Sequence, residues 1–241
     1  MATTRSVVLM PTYNEADNIT RIAPMVLASA PVDLMILDDA SPDGTGALAA
    51  TLARAEPRLQ VVHRPGKAGL GAAYLDGFQR ALAAGYDHII EMDADFSHPP
   101  GCLPRMLQLA QQHDLVVGSR WVAGGGTRHW SRRRQLLSRL GSLYARVALG
   151  VGVRDLTAGF KCFRRAVLEA VDLSRVGAAG YAFQIEMTYR TLALGFDVVE
   201  MPIVFVERDQ GRSKMSRHIL LEALVQVPRL RAVVARAPTM R

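Results

Sequence analysis

What most limits the fold of this chain is the alternation of short apolar runs with longer amphipathic ones up to residue 118. Residues 6–10, 32–37, 59–63, 88–92 and 114–118 are brief runs rich in Val, Ile and Leu, the pattern of buried strands. Between them, 17–29, 44–55, 70–84 and 103–112 place apolar residues at helical spacing. Strands alternating with helices at this rhythm predict an α/β fold, a mostly parallel central sheet with helices on both faces. Such sheets bind ligands at the carboxyl ends of their strands. The polar motifs fall there: Pro11-Thr-Tyr-Asn-Glu15 after the first strand, Asp38-Asp39 after the second, Asp93-Ala94-Asp95 after the fourth and Gly118-Ser-Arg120 after the fifth.

After Arg120 the rhythm changes. Ala123-Gly-Gly-Gly126 is a flexible stretch, and a basic run follows over 128–139. Residues 136–153 suit an amphipathic helix, 160–164 and 198–206 strands that complete the sheet, and 183–194 another helix. A helical apolar pattern over 219–234 is broken at Pro228. There is no internal repeat, low-complexity segment or linker, so a single domain is expected over 1–241.

Asp93 and Asp95 stand two residues apart at a strand end, so their side chains can point to the same side. Two carboxylates so close repel unless a cation lies between them. Oxygen ligands favour a hard cation, Mg²⁺ or Mn²⁺, completed by water and substrate phosphates. A bound cation of that kind would neutralise the charge growing on a nucleoside diphosphate leaving group. Alone, the tripeptide also fits a solvated acidic turn. Asp38 and Asp39 could hydrogen-bond a base or ribose hydroxyls, as acidic strand-end residues do in dinucleotide folds. The Ser41-Pro-Asp-Gly-Thr45 segment after them is a turn that caps the next helix and sets Asp39 at the ligand edge. Tyr13 offers a ring and Glu15 a carboxylate to a nucleoside, while Asn14 and Asp17 suit turn and capping positions. No G-x-G-x-x-G fingerprint is present; Gly69-Leu-Gly71 opens the next helix.

The combination PTYNE (11–15), DDASPDGT (38–45), DADFSHPP (93–100) and GSR (118–120) resembles family 2 glycosyltransferases, and within them the polyprenol-phosphate (dolichol-phosphate) mannosyltransferases. Trp130 with Arg134, Ser138-Arg139, DLTAGF (155–160), FQIE (183–186) and RDQGRSK (208–214) agree, so the resemblance covers nearly the whole chain. It implies a single-domain A-type glycosyltransferase fold with amphipathic interfacial helices. About 1–120 would be the nucleotide-sugar half and about 121–241 the acceptor half. Pro11, Tyr13, Glu15, Leu37 and Asp39 would hold the guanosine of GDP-mannose. Asp93, Ala94 and Asp95 would line the diphosphate and the metal. Ser97 would lie near the ion, where some relatives carry Gln, a longer and stronger ligand. Arg120, Arg134, Arg208 and Lys214 would surround the phosphates of donor and acceptor, with Asp95, Arg120 and Arg134 closest to the chemistry. The acceptor, a polyprenyl phosphate, already carries an anionic oxygen and needs no general base. In-line attack would displace GDP and invert configuration. Glu186 is either an extra site residue or a packing residue.

The chain has 29 Lys and Arg against 22 Asp and Glu, a net charge of +7, which favours an anionic partner. Nucleic acid is disfavoured, since aromatic stacking platforms are absent from the Arg run except for Trp130. A nucleotide-sugar pyrophosphorylase would need a Gly-rich loop after the first strand, and PTYNE is not one. A polyprenyl-phosphate glucosyltransferase remains the alternative. Leu136, Leu137, Leu140, Leu143, Tyr144, Val147 and Leu149 recur at helical spacing among arginines. That fits a helix lying on a membrane surface with arginines toward the headgroups, or a buried core helix. No apolar run reaches the roughly 18 residues of a spanning helix, and no signal peptide is visible. Cys102 and Cys162 show no metal or disulfide spacing. The expected location is therefore cytoplasmic, peripheral on the cytoplasmic face of a membrane, with a separate membrane-anchoring partner as an option.

Overall fold

The computed structural model describes residues 4–177, 181–207, 227–231 and 234. Its first five strands are β1 (Ser6–Thr12), β2 (Asp33–Asp38), β3 (Leu59–His63), β4 (His88–Glu91) and β5 (Leu115–Ser119). They alternate with helices α1 (Ala16–Ser29), α2 (Thr45–Ala55), α3 (Leu70–Ala83) and α4 (Leu103–Ala110). Then come β6 (Gly126–Arg128), α5 (Arg132–Leu149), β7 (Lys161–Arg164), α6 (Arg165–Ala170), α7 (Tyr181–Ala193), β8 (Val198–Pro202) and β9 (Val204–Val206).

Seven strands form one sheet in the order β3-β2-β1-β4-β7-β5-β8. All pairs are parallel except those of β7, which lies antiparallel between β4 and β5. The period-2 alternation of the strands sorts the core into two layers. Val8, Met10, Leu34, Ile36, Ile90 and Val116 pack with α1, α2 and α4 on one face. Val7, Leu9, Met35, Leu37, Ile89 and Leu115 pack with α3, α6 and α7 on the other. Each fully buried side chain of this size contributes about 1.5–3 kcal/mol, so a one-residue slip in register would invert both layers at once. A third cluster joins Ala145 and Leu149 of α5 to Leu156, Ile185, Val227 and Leu230.

Two expectations need correction. The segment 198–206 is not one strand of the main sheet. Pro202 ends the β5–β8 ladder, having no N–H to extend it, and β9 pairs instead with β6 in a separate parallel ribbon. The helix expected over 136–153 starts earlier, at Arg132, because the Ser131 side chain accepts the Arg134 N–H as an N-cap. It ends at Leu149 because Gly150, at φ +69°, is the left-handed cap. The pattern over 219–234 lies mostly outside the described residues; 227–231 are helical. No helix among the described residues is long and apolar enough to cross a membrane.

Candidate active site

A cleft of about 400 Å³ opens at the carboxyl ends of the parallel strands, within the ordinary range for small-molecule sites. The order of strands along the sheet sets the order of chemistry along the cleft.

At the β1–β2 end, hydrogen bonds fix two loops together. Asp38 Oδ1 accepts from Thr12 Oγ1 at 3.1 Å and Ser41 Oγ at 2.6 Å, while Ser41 Oγ accepts the Asn14 N–H at 3.1 Å. Asp43 accepts from Thr45 N and Oγ1 and from Ala16 N, at 3.0, 2.6 and 3.0 Å. Desolvation raises the Asp43 pKa, but these hydrogen bonds outweigh it and leave the carboxyl below its ordinary value. α2 approaches so closely that a Cβ at Gly46 would stand 2.6 Å from Asp38 Oδ2. The SPDGT turn thus braces the PTYNE loop, and Pro11, Tyr13, Glu15 and Asp39 all line the cleft. Asp39 is ion-paired with Arg64. Lys67, which the sequence did not single out, stands 3.8 Å over the Tyr13 ring. Leu37 lies elsewhere: it is fully buried in the α3-side core against Gly77 and does not line the cleft.

At the end of β4, Asp93, Ala94 and Asp95 line the cleft. Asp95 Oδ1 accepts both the N–H and the O–H of Ser97. Ser97 is fully buried, does not line the cleft, and so orients Asp95. The Asp93 N–H donates to His98 Nδ1 at 3.0 Å. Beneath them is a buried polar group that the sequence pattern hid inside apolar strands. Glu91 of β4 pairs in register with Lys161 of β7, and both are fully buried. Burial pushes Glu91 up to about 8, against the pull of Lys161. Burial lowers Lys161 to about 8, against the pull of Glu91 and Asp155. The Tyr74 phenol is raised well above its ordinary value by burial and then by Asp93, Glu91 and Asp95. Asp93 and Asp95 make the acidic pole of the cleft. Among the described residues no group of three or more His, Cys, Asp and Glu is gathered around one point. The donor set is therefore two carboxylates, which fits a hard divalent cation that takes its remaining ligands from phosphate and water.

At the end of β5 lies the positive pole. Arg120 is 6% exposed and clamped by Asp155: Nε to Oδ2 and Nη2 to Oδ1, both at 2.7 Å, with the backbone N–H to Oδ2 at 2.9 Å. Its Nη2 also donates to Thr157 Oγ1 at 2.7 Å. Arg134, on the first turn of α5, stands 4.0 Å over the Trp130 ring and is ion-paired with Glu207. Both arginines line the same cleft as Asp93 and Asp95. Arg208 and Lys214 lie outside the described residues. Glu186 is buried and bonded to Arg190 at 2.8 Å, and it does not line the cleft. The outer face of α5 leaves Leu136, Leu140, Leu143 and Val147 exposed, Val147 by 72%.

Sequence reasoning missed the roles of Lys67, Thr157, Gln184, Glu207 and the Glu91–Lys161 pair. A charged residue at the end of an otherwise apolar strand was the available signal for the last of these.

Residues 7–172 match the family described as Glycosyl transferase family 2. The chain is 50% identical over 228 residues to the polyprenol monophosphomannose synthase of Mycolicibacterium smegmatis, covering 93% of this chain and 86% of that protein. It is 46% identical over 226 residues to the undecaprenyl-phosphate mannosyltransferase of Micrococcus luteus, covering 93% of each. Among solved structures, glucosyl-3-phosphoglycerate synthase from Mycobacterium tuberculosis, in complex with Mn²⁺ and UDP-glucose, matches with a TM-score of 0.67 at 21% identity, covering 98% of this chain and 81% of that one. The fold is that of the A-type glycosyltransferases, and the chain belongs to glycosyl transferase family 2.

Proposed function

We propose that the protein transfers mannose from GDP-mannose to a polyprenyl monophosphate with inversion, giving polyprenyl phosphate mannose and GDP. The observation that carries this reading is that one cleft is lined both by the carboxylates of Asp93 and Asp95 and by Arg120 and Arg134. A reaction between two anions needs both. The names of the two relatives support mannose on a polyprenyl phosphate. The fold neighbour holds a uridine nucleotide, so the fold by itself does not choose the donor.

Tyr13, Glu15 and Asp39 hold the nucleoside, with Pro11 and the Asp38–Ser41 network setting their loops. Asp93 and Asp95 are the ligands for Mg²⁺ or Mn²⁺, and Ser97 orients Asp95. When bound, the cation supplies charge neutralisation on the leaving diphosphate. Arg120 and Arg134 hold the acceptor phosphate by planar, charge-assisted hydrogen bonds; Arg208 and Lys214 join them on the phosphates. An acceptor oxygen attacks the anomeric carbon as the bond to the diphosphate oxygen breaks. No side chain is needed as a base, because the nucleophile is already ionised. Exposed leucines on α5, which begins next to Arg134, suit a helix resting on the membrane where the lipid tail lies.

The test is a donor screen. Purified protein is given GDP-mannose or UDP-glucose with a short polyprenyl phosphate and Mg²⁺ or Mn²⁺, and lipid-linked product is measured. Product from GDP-mannose that disappears on chelation is expected. Product from UDP-glucose alone, or full activity after chelation, would overturn the donor or the metal assignment respectively.

A further inference from the structure

The two arginines of the cleft are held in different ways. Arg120 Nε and Nη2 end on Asp155, a carboxylate with no exposed surface that does not line the cleft. A ligand in the cleft cannot take its place. Arg134 is held from the cleft itself. Its Nη1 donates to Glu207, whose side chain is 34% exposed and lines the cleft. The guanidinium also lies on the face of the Trp130 ring, at 4.0 Å, and its Nε is buried with no hydrogen bond among the described residues.

The small ribbon of β6 and β9 builds this arrangement. Glu207 follows β9 directly, and its N–H donates to the Arg128 carbonyl at 3.2 Å, at the end of β6. Phe205 of β9 meets the Trp130 ring edge-on, with centroids 5.2 Å apart. Ser131, next to Trp130, caps α5 by accepting the Arg134 N–H. The ring under the guanidinium and the carboxylate beside it thus come from segments that the ribbon's register fixes together.

A carboxylate beside the arginines of a cleft that receives anions repels them. Its use is to the cation, since a largely buried guanidinium left without an anion is costly. Arginine takes carboxylate and phosphate oxygens with the same N–H groups, so the two compete for Arg134. A phosphomonoester brings three oxygens and up to two charges against one carboxylate. A neutral alcohol brings neither.

We propose that Glu207 is an internal counter-ion of Arg134 that the acceptor's phosphate displaces, and that this exchange makes the site select a phosphorylated acceptor. The proposal rests on the acceptor reading above and adds the residue that sets acceptor affinity. Glu207 touches neither substrate; it acts through Arg134 and is a positioning residue. Arg120, whose partner is out of reach, stays in place throughout.

The test is calorimetric binding of a short polyprenyl phosphate, and of the matching polyprenol without phosphate, to the full chain with GDP and Mn²⁺ present. Glu207→Gln keeps the shape of the side chain and removes its charge. It is expected to bind the phosphate about fivefold tighter and the polyprenol as the parent does. In an Arg134→Met background the same change should have no effect beyond about twofold, because the two residues act as one pair. The proposal is overturned if Glu207→Gln binds the phosphate as the parent does or more weakly, since Glu207 then only supports Arg134. It is overturned equally if the gain is the same with and without Arg134, since Glu207 then acts by general repulsion. The parent tests the acceptor reading separately. If it binds the polyprenol as tightly as the phosphate, that reading fails, and inorganic phosphate decides the counter-ion: its affinity should rise by the same factor in Glu207→Gln, and no rise refutes the exchange.

Discussion

Replacing Asp155 by Asn probes the positive pole without touching the cleft surface. Arg120 is 6% exposed and Asp155 fully buried, and three hydrogen bonds from Arg120 end on that carboxylate. Asn keeps the shape, but turns an NH₂ toward a guanidinium that has only donors. Breaking a buried pair from one side costs about 3–5 kcal/mol. At about 2–4 °C per kcal/mol for a domain of this size, the melting temperature should fall by about 6–20 °C. Thermal unfolding followed by circular dichroism, with urea midpoints as a cross-check, measures it. The double variant Asp155→Asn with Arg120→Met removes the stranded charge as well as its partner. It should regain much of the lost stability, because both groups are then neutral, yet transfer should stay lost because Arg120 itself is gone. An Asp155→Asn protein melting within about 2 °C of the parent would show that the clamp is not what holds Arg120. A double variant that recovers both stability and transfer would remove Arg120 from the chemistry.

Asp95→Ala should abolish transfer, whereas Ser97→Ala, which loses only an orienting bond, should cost about 10–100-fold in Mn²⁺ affinity, read by titration against a competing chelator. Arg134→Ala should raise the KM for polyprenyl phosphate and leave that for GDP-mannose nearly unchanged; equal changes in both would count against an acceptor role. Glu91 goes from 4.5 to about 8 on folding, so the folded state holds the extra proton and stability should fall as pH rises across that window. Lys161 drops from 10.5 to about 8, so stability should recover above about 8, and Glu91→Gln should abolish the falling limb in urea midpoints. Leu136→Glu with Leu140→Glu, on the exposed face of α5, should reduce co-sedimentation with phosphatidylglycerol vesicles without changing donor binding; unchanged sedimentation would move the membrane contact elsewhere.

The elements that were legible in the sequence are those whose reason is local. β1 to β5 and α1 to α4 follow from period 2 against period 3.6, and β3 falls on the residues expected. The turn chemistry around SPDGT was legible for the same reason: the Asp38 and Asp43 side chains accept backbone N–H groups three and two residues further on. What was hidden depends on pairing over long separations. β6 has three residues and no periodicity of its own, and exists only because β9 lies beside it. Leu37 and Asp39 are near neighbours in a motif, yet the strand buries the first against Gly77 while the chain turns the second into the cleft. Gln184 and Gly159 looked like helix and loop residues, since their relation to Lys161 and His98 exists only in three dimensions.

The cleft is also where the backbone is held least comfortably. Asn14, Ala40, Phe96 and His129 have φ between +52° and +64°, and each follows shortly after β1, β2, β4 or β6. A non-glycine residue in that region costs about 1–2 kcal/mol. The four together approach the lower end of a domain's net stability of about 5–15 kcal/mol. Strain on that scale persists only where neighbours over-determine the conformation. The neighbours here are the hydrogen-bonded turns: Ser41 on the Asn14 N–H, Asp38 on the Ser41 side of Ala40, and Asp95 with Ser97 on either side of Phe96. Each reversal brings a cleft residue back over the sheet edge, Glu15, Asp39, Asp95 or Trp130. The polar turns that looked like simple caps in the sequence are therefore what hold the charged groups of both poles at one rim. Asp95 in particular depends on Ser97 twice, for the rotamer of its carboxylate and for the turn that presents it.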